Sequence, residues 1–583
     1  MVGHVSVIPT WSRPSKVWTL GIFAAVMNML FRPLLIASLC VPLLASAQLM
    51  SDADAKDQMK YDVKYLASDL LEGRETGMPG EKLAVDYIAG KFGNVGLMPY
   101  GDKASYLQAF TFKAQPVLGA MNTMQLGRRK LKQGEKFFPM PFSASGAARG
   151  KIYKVGYAIQ APELKHEDLK DLVLTDRIAA IAISSPDGTH PHSKYLAYQD
   201  LKARAEKVIA LGAVGIVFYN DDENATAPEP TLSPKVLPLS VPAVFLTGRQ
   251  YEDLLVDNNP CVINVDIIRE ERTGYNVVGL LDNGAANVVV IGAHLDHLGW
   301  GDEASLHRGE RAIHNGADDN ASGIAVMMQL ARDLAEMDEA RTNDYLFIAF
   351  SGEEKGLYGS NYWTKNPTVP IAELNYMINL DMVGRLDSTG AIGINGVGTS
   401  PAWEEVPRVL VGDLKVKTTT SGIGPSDHTS FFLQGVPAIH FFTGTHADYH
   451  KPSDDEDKIN YEGMLRITRY IESLVTSLSD DGKIAFTKTE EVNTENTPRF
   501  KVTLGVVPDY LYDGKGMRID GVTEGKPAAN AGMRKGDVVM GIGAVEVNDM
   551  MGYMKALGQF NKGDTAPVKV LREGKEVMME VTF

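Results

Sequence analysis

Three apolar runs in the middle of the chain end on residues that a buried strand does not ordinarily tolerate. Val288-Val-Val-Ile-Gly-Ala293 stops at His294, Tyr345-Leu-Phe-Ile-Ala-Phe350 leads into Glu353 and Glu354, and Tyr376-Met-Ile-Asn-Leu380 stops at Asp381. Apolar, β-branched and aromatic runs without polar alternation read as strands covered on both faces, as in sheets sandwiched by helices. An amphipathic stretch at 321–337, with Ile324, Met328, Ala331 and Ala335 on one face, predicts a covering helix between the first two runs. The class is therefore α/β, with titratable residues delivered from the C-terminal ends of strands, where open α/β sheets build their sites.

Those residue types have a chemistry in common. Two metal ions about 3.5–4 Å apart need one carboxylate with an oxygen for each. Asp318, in Gly316-Ala-Asp-Asp-Asn-Ala-Ser-Gly323, is the candidate bridge; His294 and Asp381 complete one metal, and Glu354 and His450 the other. Neutral imidazole and carboxylate oxygen suit zinc, so two Zn2+ ions per subunit are expected. Three carboxylates and one hydroxide would balance two dications. Glu353, left free beside a ligand, suits a general base. Asp296, two residues after His294, is placed to accept that ring's second N–H. Taken singly, His-x-Asp and Glu-Glu pairs are mostly solvated surface groups, and Asp-Asp-Asn can cap a helix. What separates them from that background is that each lies beside an apolar run or a glycine turn.

Gly292-Ala-His-Leu-Asp296, Gly316 to Gly323, Ser351-Gly-Glu-Glu-Lys-Gly-Leu-Tyr-Gly359, Asn379-Leu-Asp381 and Tyr449-His450 together resemble the M28 zinc peptidases, in the order that family has them. The resemblance implies a zinc-peptidase mixed sheet sandwiched by helices, with Asp318 bridging, Glu353 as base and Tyr449 helping to hold the tetrahedral oxyanion. It also implies a cis peptide after Asp318. Ser426-Asp427-His428 resembles a loop that lines the substrate pocket in that family. The helical leads at the start of the mature chain, around Glu72-Gly-Arg-Glu-Thr-Gly-Met-Pro-Gly80, resemble its N-terminal lead.

With 583 residues the expectation is about three or four domains. Arg32, the apolar run from Leu34 to Leu44 and Ala45-Ser-Ala47 before Gln48 read as a signal peptide over 1–47, with translation starting at Met27 or Met29. The run is shorter than the roughly 20 residues a membrane span needs, so no stable anchor is expected after cleavage, and the location is periplasmic or extracellular. Cleavage would leave Cys261 as the one cysteine, with no internal disulfide. Segments 48–110 and 267–479 form the catalytic domain on this reading. Residues 111–266 are inserted: strand-like runs at 150–155, 177–183, 214–219 and 241–246, with a helix at 201–211, resemble a protease-associated (PA) domain of α+β type. A polar linker follows at 480–498. Segment 499–583, with Gly521-Val-Thr-Glu-Gly-Lys-Pro-Ala-Ala529, resembles a mainly β PDZ domain whose Gly505, Val506 and Val507 would hold a peptide C-terminus on backbone N–H groups.

A net charge of −15 argues against a nucleic-acid partner. Peptides are the expected substrates, and a protein or peptide C-terminus the expected ligand of the PDZ segment. The reading that results is a secreted dizinc aminopeptidase. A carboxypeptidase or dipeptidase of the same family is the near alternative; it would need a cation for the terminal carboxylate, and Arg385 is close in sequence. Glutaminyl cyclisation is weaker, because Tyr449 and Ser426 stand where cyclases have tryptophan and an acid. A non-catalytic peptide binder is weakest, since no ligand is missing.

Overall fold

The computed structural model describes residues 50–583, except 191–192, 223, 235, 249–254, 302–303, 308, 410, 480, 490–501, 509–511, 513, 523–524, 544 and 549. The expected signal peptide lies outside the described residues.

The three apolar runs are neighbouring parallel strands. Val288–His294 lies between Asp344–Phe350 and Leu374–Leu380, and Ala438–Phe442 extends the parallel block beyond Leu374–Leu380. Register aligns their ends: His294 pairs with Phe350, and Ala293 with Leu380. The long strand Glu271–Leu281 runs antiparallel on one side, and Ala391–Asn395 antiparallel on the other. Both faces are covered, which is why polar alternation is missing from the sequence. Val289, Ile291, Phe347 and Ile378 meet the helices Asp52–Leu66, Pro79–Val95, Gly323–Glu336 and Tyr461–Ser477. Val290, Ile348 and Met377 face the opposite layer, where Trp363 stacks on Phe431 at 5.4 Å.

The helices begin and end where local chemistry requires. Ser51 accepts the Asp54 N–H at 3.2 Å, opening Asp52–Leu66. Pro79 sits at the first turn of its helix, which stops at Gly96 with φ +88°.

The catalytic sheet is left after the strand Leu107–Lys113 and rejoined at Glu271, and these two residues face each other in antiparallel register. What lies between is a separate eight-stranded mixed sheet with its own core, whose helix Leu201–Ala210 is capped by Asp200. The segment inserted between these two strands is therefore 114–270.

At the C-terminus a six-stranded sheet, from Val506–Pro508 to Lys575–Thr582, encloses a third core. Gly505 has φ +71°, and a Cβ there would lie 2.2 Å from the Lys526 Cβ, so the turn before the edge strand requires glycine. Val506 pairs with Val522 and Val507 with Gly521, which leaves Val506–Pro508 at the sheet edge. The expected linker is only partly one. Ile484 is buried and its N–H donates to Asn375 Oδ1 at 2.8 Å, Thr487 N–H donates to Thr399 O at 2.7 Å, and Phe486 packs on Phe432. Residues 481–489 thus belong to the catalytic domain's surface.

Candidate metal centre

His294 is the last residue of its strand, Asp381 the first after its strand, and Glu353 and Glu354 follow Phe350 within a turn. The parallel block places them at one end of the sheet, where the loop carrying Tyr449 and His450 also arrives. Two triads form there, His294–Asp319–Asp381 and His297–Asp319–Glu354, each with ligand atoms within 4.8 Å of one another.

The carboxylate shared by both is Asp319, not Asp318. Asp319 Oδ1 lies 3.3 Å from His294 Nε2, and Oδ2 lies 3.3 Å from His450 Nε2. On the first side Asp381 Oδ1 is 3.3 Å from His294 Nε2, and on the second Glu354 Oε2 is 3.4 Å from His450 Nε2. Asp318 points elsewhere: its carboxylate accepts Gly384 N–H at 2.6 Å and Ser322 Oγ–H at 3.0 Å, and faces His446 Nε2 at 3.1 Å. An Asp-Asp pair gives no sign of which member projects into a site, because the tight turn through 316–323 decides it. Asp454 Oδ2 accepts the backbone N–H of both aspartates, at 2.9 and 3.1 Å. Asn320 ties the turn to the Asp381 strand end, donating to Leu380 O at 2.9 Å and accepting from Met382 N–H at 3.1 Å. A Cβ on Gly316, φ +58°, would stand 2.2 Å from the Asp319 carbonyl, so only glycine closes the turn. The cis peptide is Asp319–Asn320, one residue later than expected.

His297 is the other residue the sequence reading passed over. Its Nδ1 lies 2.7 Å from Glu354 Oε1 and 3.8 Å from Asp319 Oδ2. The one signal for it is its place directly after Asp296, in a His-x-Asp-His string.

Asp296 acts differently from expectation. His294 Nδ1 faces the Asp296 backbone carbonyl at 3.2 Å, while its carboxylate is 3.8 Å away. That carboxylate instead accepts Thr76 Oγ1–H at 2.9 Å and Glu353 N–H at 3.1 Å, so it sets the position of the Glu353 loop. His450 Nδ1 is held by Ala304 O at 3.0 Å, which aims Nε2 at the cluster.

The N-terminal lead is built into this centre. Arg74, 1% exposed, donates from Nε to Leu295 O at 2.8 Å, from Nη1 to Leu66 O and Asn315 O at 2.5 and 2.7 Å, and from Nη2 to Gly316 O at 2.9 Å. Burial lowers its guanidinium to about 10, with Asp319, Asp296, Asp454 and Glu354 opposing the fall. It therefore remains a cation. Glu81 accepts Ser351 Oγ–H at 2.6 Å, Tyr275 N–H at 3.0 Å and Gly77 N–H at 2.7 Å, anchoring the same lead to the Glu353 loop.

The donor set fits a pair of divalent cations. Burial opposes charging of His450, yet Glu354 and Asp319 raise it to about 10; burial likewise opposes charging of His294, and Asp381 and Glu353 raise it well above the usual range. Converging carboxylates at this depth call for positive charge. Glu353 is pushed well above the usual carboxylate range, by burial first and by Asp381 and other carboxylates next.

A cavity of about 90 Å³ opens on the cluster, lined by His294, Asp319, Glu354, Asp381 and His450 together with Glu353, Tyr449 and a few other side chains. Tyr449 stacks on the His450 ring at 3.9 Å. Ser426, Asp427 and His428 do not line it. Asn379 Nδ2 donates to Ser426 Oγ at 2.8 Å, and the short helix His428–Phe432 draws all three behind the wall, leaving Pro425 at the surface of the cavity. Burial pushes Asp427 up to about 7.

An α/β sheet whose strand ends gather two carboxylate–imidazole triads around one shared aspartate is a centre of the kind that could hold two metal ions. The sequence model of peptidase family M28 matches residues 276–475, and that of the PDZ domain matches 487–583. The chain thus carries an M28 peptidase domain followed by a PDZ domain. Aminopeptidase YwaD of Bacillus subtilis (strain 168) is 25% identical over 278 residues, 45% of this chain and 56% of that protein. Leupeptin-inactivating enzyme 1 of Streptomyces exfoliatus is 30% identical over 190 residues, 32% of this chain and 39% of that one. Among solved structures, the aminopeptidase from Aneurinibacillus sp. strain AM-1 is 22% identical, with 76% of this chain and 99% of that one covered at a TM-score of 0.43. The chain spans about half the length of the first curated relative, or less in the second.

Proposed function

We propose that this chain is an exported dizinc aminopeptidase, which removes the N-terminal residue of peptides. The observation that carries the reading is the placement of the two Asp319 oxygens, one toward the His294–Asp381 pair and one toward the Glu354–His450 pair. Zinc is favoured over harder cations by the imidazole share of the donor set. When bound, the metal pair would polarise the scissile carbonyl and acidify the attacking water.

The chain's own residues supply the rest. Glu353 lines the cavity without belonging to either triad, and its backbone N–H is fixed on Asp296. It takes the proton from the attacking water and delivers it to the leaving amine; a carboxyl raised by burial is better matched to both transfers than an ordinary one. Tyr449, packed on His450, is the candidate hydrogen-bond donor to the oxygen that becomes negative.

A free amino terminus fits this cavity better than a free carboxylate. Among the described residues no lysine or arginine lines it, whereas Glu353, Glu354 and Asp381 do. Arg385, the cation a carboxypeptidase would use, is engaged by Asp448 at 3.3 Å and Asp454 at 4.0 Å. Export rests on the apolar run and small-residue site ahead of Gln48. The open edge strand Val506–Pro508 suits addition of a peptide strand, in the manner of PDZ domains.

The test compares wild type with Glu353→Gln on aminoacyl-p-nitroanilides, N-blocked peptides and N-terminal glutaminyl peptides, with metal content measured on the same samples. Cleavage of free-amine substrates alone is expected. Glu353→Gln should keep both metals and lose at least about 10²-fold in kcat, the scale of general acid–base catalysis. Turnover of only blocked or glutaminyl substrates would overturn the aminopeptidase reading.

A further inference from the structure

One residue of the cavity wall is a histidine whose Nε2 has no hydrogen-bond partner among the described residues. His440 lies in the strand Ala438–Phe442, where Ile439 and Phe441 enter the main core and His440 turns toward the cavity. It is 3% exposed, and its ring is stacked between those of His428, at 4.8 Å, and Phe442, at 5.8 Å. Across the sheet its register partner is Asn395, which also lines the cavity.

The tautomer follows from the neighbours. Thr419 Oγ1 donates to Asn395 Oδ1 at 2.8 Å, which leaves the Asn395 amide nitrogen, a donor only, facing His440 Nδ1 at 3.5 Å. Nδ1 is then the acceptor and the proton sits on Nε2. Burial lowers the ring to about 4, so at neutral pH it is uncharged and offers a single N–H. Nε2 is buried without a hydrogen-bond partner among the described residues. An orphaned buried donor is costly, and a leucine in this place would avoid the cost. The group is satisfied when something entering the cavity brings an acceptor.

We propose that His440, held by Asn395, forms a polar subsite for the side chain of the substrate's N-terminal residue. It selects short side chains that carry a neutral hydrogen-bond acceptor, as in serine, threonine and asparagine, over apolar ones of equal size. This rests on the aminopeptidase reading above. The cavity is compact, about 90 Å³, which favours short side chains. Acidic side chains are disfavoured by Glu353, the one carboxylate of the cavity that belongs to neither triad.

The experiment uses near-isosteric pairs, threonyl against valyl and asparaginyl against leucyl p-nitroanilides, with the alanyl compound as reference. Wild type should favour the polar member of each pair at least about tenfold in kcat/KM, because a site with a buried donor penalises the analogue that leaves it unpaired. In His440→Leu the ratio should fall to one or below, and His440→Gln, which retains an N–H donor, should keep part of it. Calorimetric binding of Thr-Ala and Val-Ala to the Glu353→Gln variant supplies a readout independent of turnover and should show the same ratio. Valyl equal to threonyl in wild type, or a ratio unchanged in His440→Leu, overturns the proposal. Failure to cleave even the alanyl compound would instead refute the aminopeptidase reading, and the binding ratio would still decide the subsite. Should His440→Leu lose its fold or metal, the wild-type ratio and His440→Gln decide.

Discussion

Replacing Arg74 by methionine tests whether the N-terminal lead is part of the metal centre or a mere strap across it. The side chain would remain long enough to fill its channel, so the lost interactions are those of the guanidinium. Four carbonyls lose a donor, and only Gly316 O has a second among the described residues, Ala321 N–H at 3.2 Å. Leaving a buried acceptor unpaired costs about 1–3 kcal/mol, so three of them give about 3 kcal/mol at the low end. For a domain of this size that lowers the thermal midpoint by about 5 °C. Leu295 and Asn315 flank the loops that carry His294, His297 and Asp319, so metal affinity should also fall, by about 10–100-fold as for outer-sphere partners elsewhere. Arg74→Lys keeps the charge but cannot fan across four acceptors, and should lie between. Calorimetric melting and competition with a chromophoric chelator measure the two effects. A midpoint within about 2 °C of wild type with unchanged metal affinity would refute the argument.

Three further outcomes follow from the same geometry. Asp319→Asn should lose at least one metal ion per chain, whereas Asp318→Asn should keep both and show only reduced stability; metal analysis showing the reverse would return the bridge to Asp318. Burial raises Glu81 to about 7 from an ordinary 4.5. Between those values the folded state holds a proton the unfolded chain releases, so this group's contribution is greatest below pH 4.5 and is lost as pH rises through 7, about 3 kcal/mol in all. Glu81→Gln should flatten that part of the stability curve between pH 4.5 and 8, and parallel curves would count against it. Chelation should lower the melting midpoint by several degrees, since a ligand at a thousandfold excess over its Kd contributes about 4 kcal/mol; an unchanged midpoint after verified metal loss would show the cluster tolerates its own charge.

The parts of the site that could be read ahead of the structure are those fixed by strand ends. His294 and Asp381 close apolar runs and Glu353–Glu354 follow one, so a parallel sheet necessarily brings them together. Residues whose direction depends on loop backbone were not legible. Asp318 and Asp319 are chemically identical neighbours, separated only by a turn that Asp454, Asn320 and Gly316 hold. His297 gave no periodic signal, and Ser426 to His428 were expected in the cavity because nothing in the sequence announces the helix that retracts them. Composition misled at 481–489, where polar residues hide a segment whose backbone pairs with Asn375 and Thr399.

Lys113 and Glu271 stand opposite each other in adjacent strands, although a whole folded body lies between them in the chain. A domain whose two ends emerge one strand spacing apart, about 5 Å, behaves toward its host as a hairpin turn does. Loop-closure entropy grows only slowly with length, and once the insert has folded it presents its host with a pre-closed junction. The segment 114–270 therefore costs its host no more than one turn would, and the strand pairing that positions His294, Asp381 and the Glu353 loop does not depend on it.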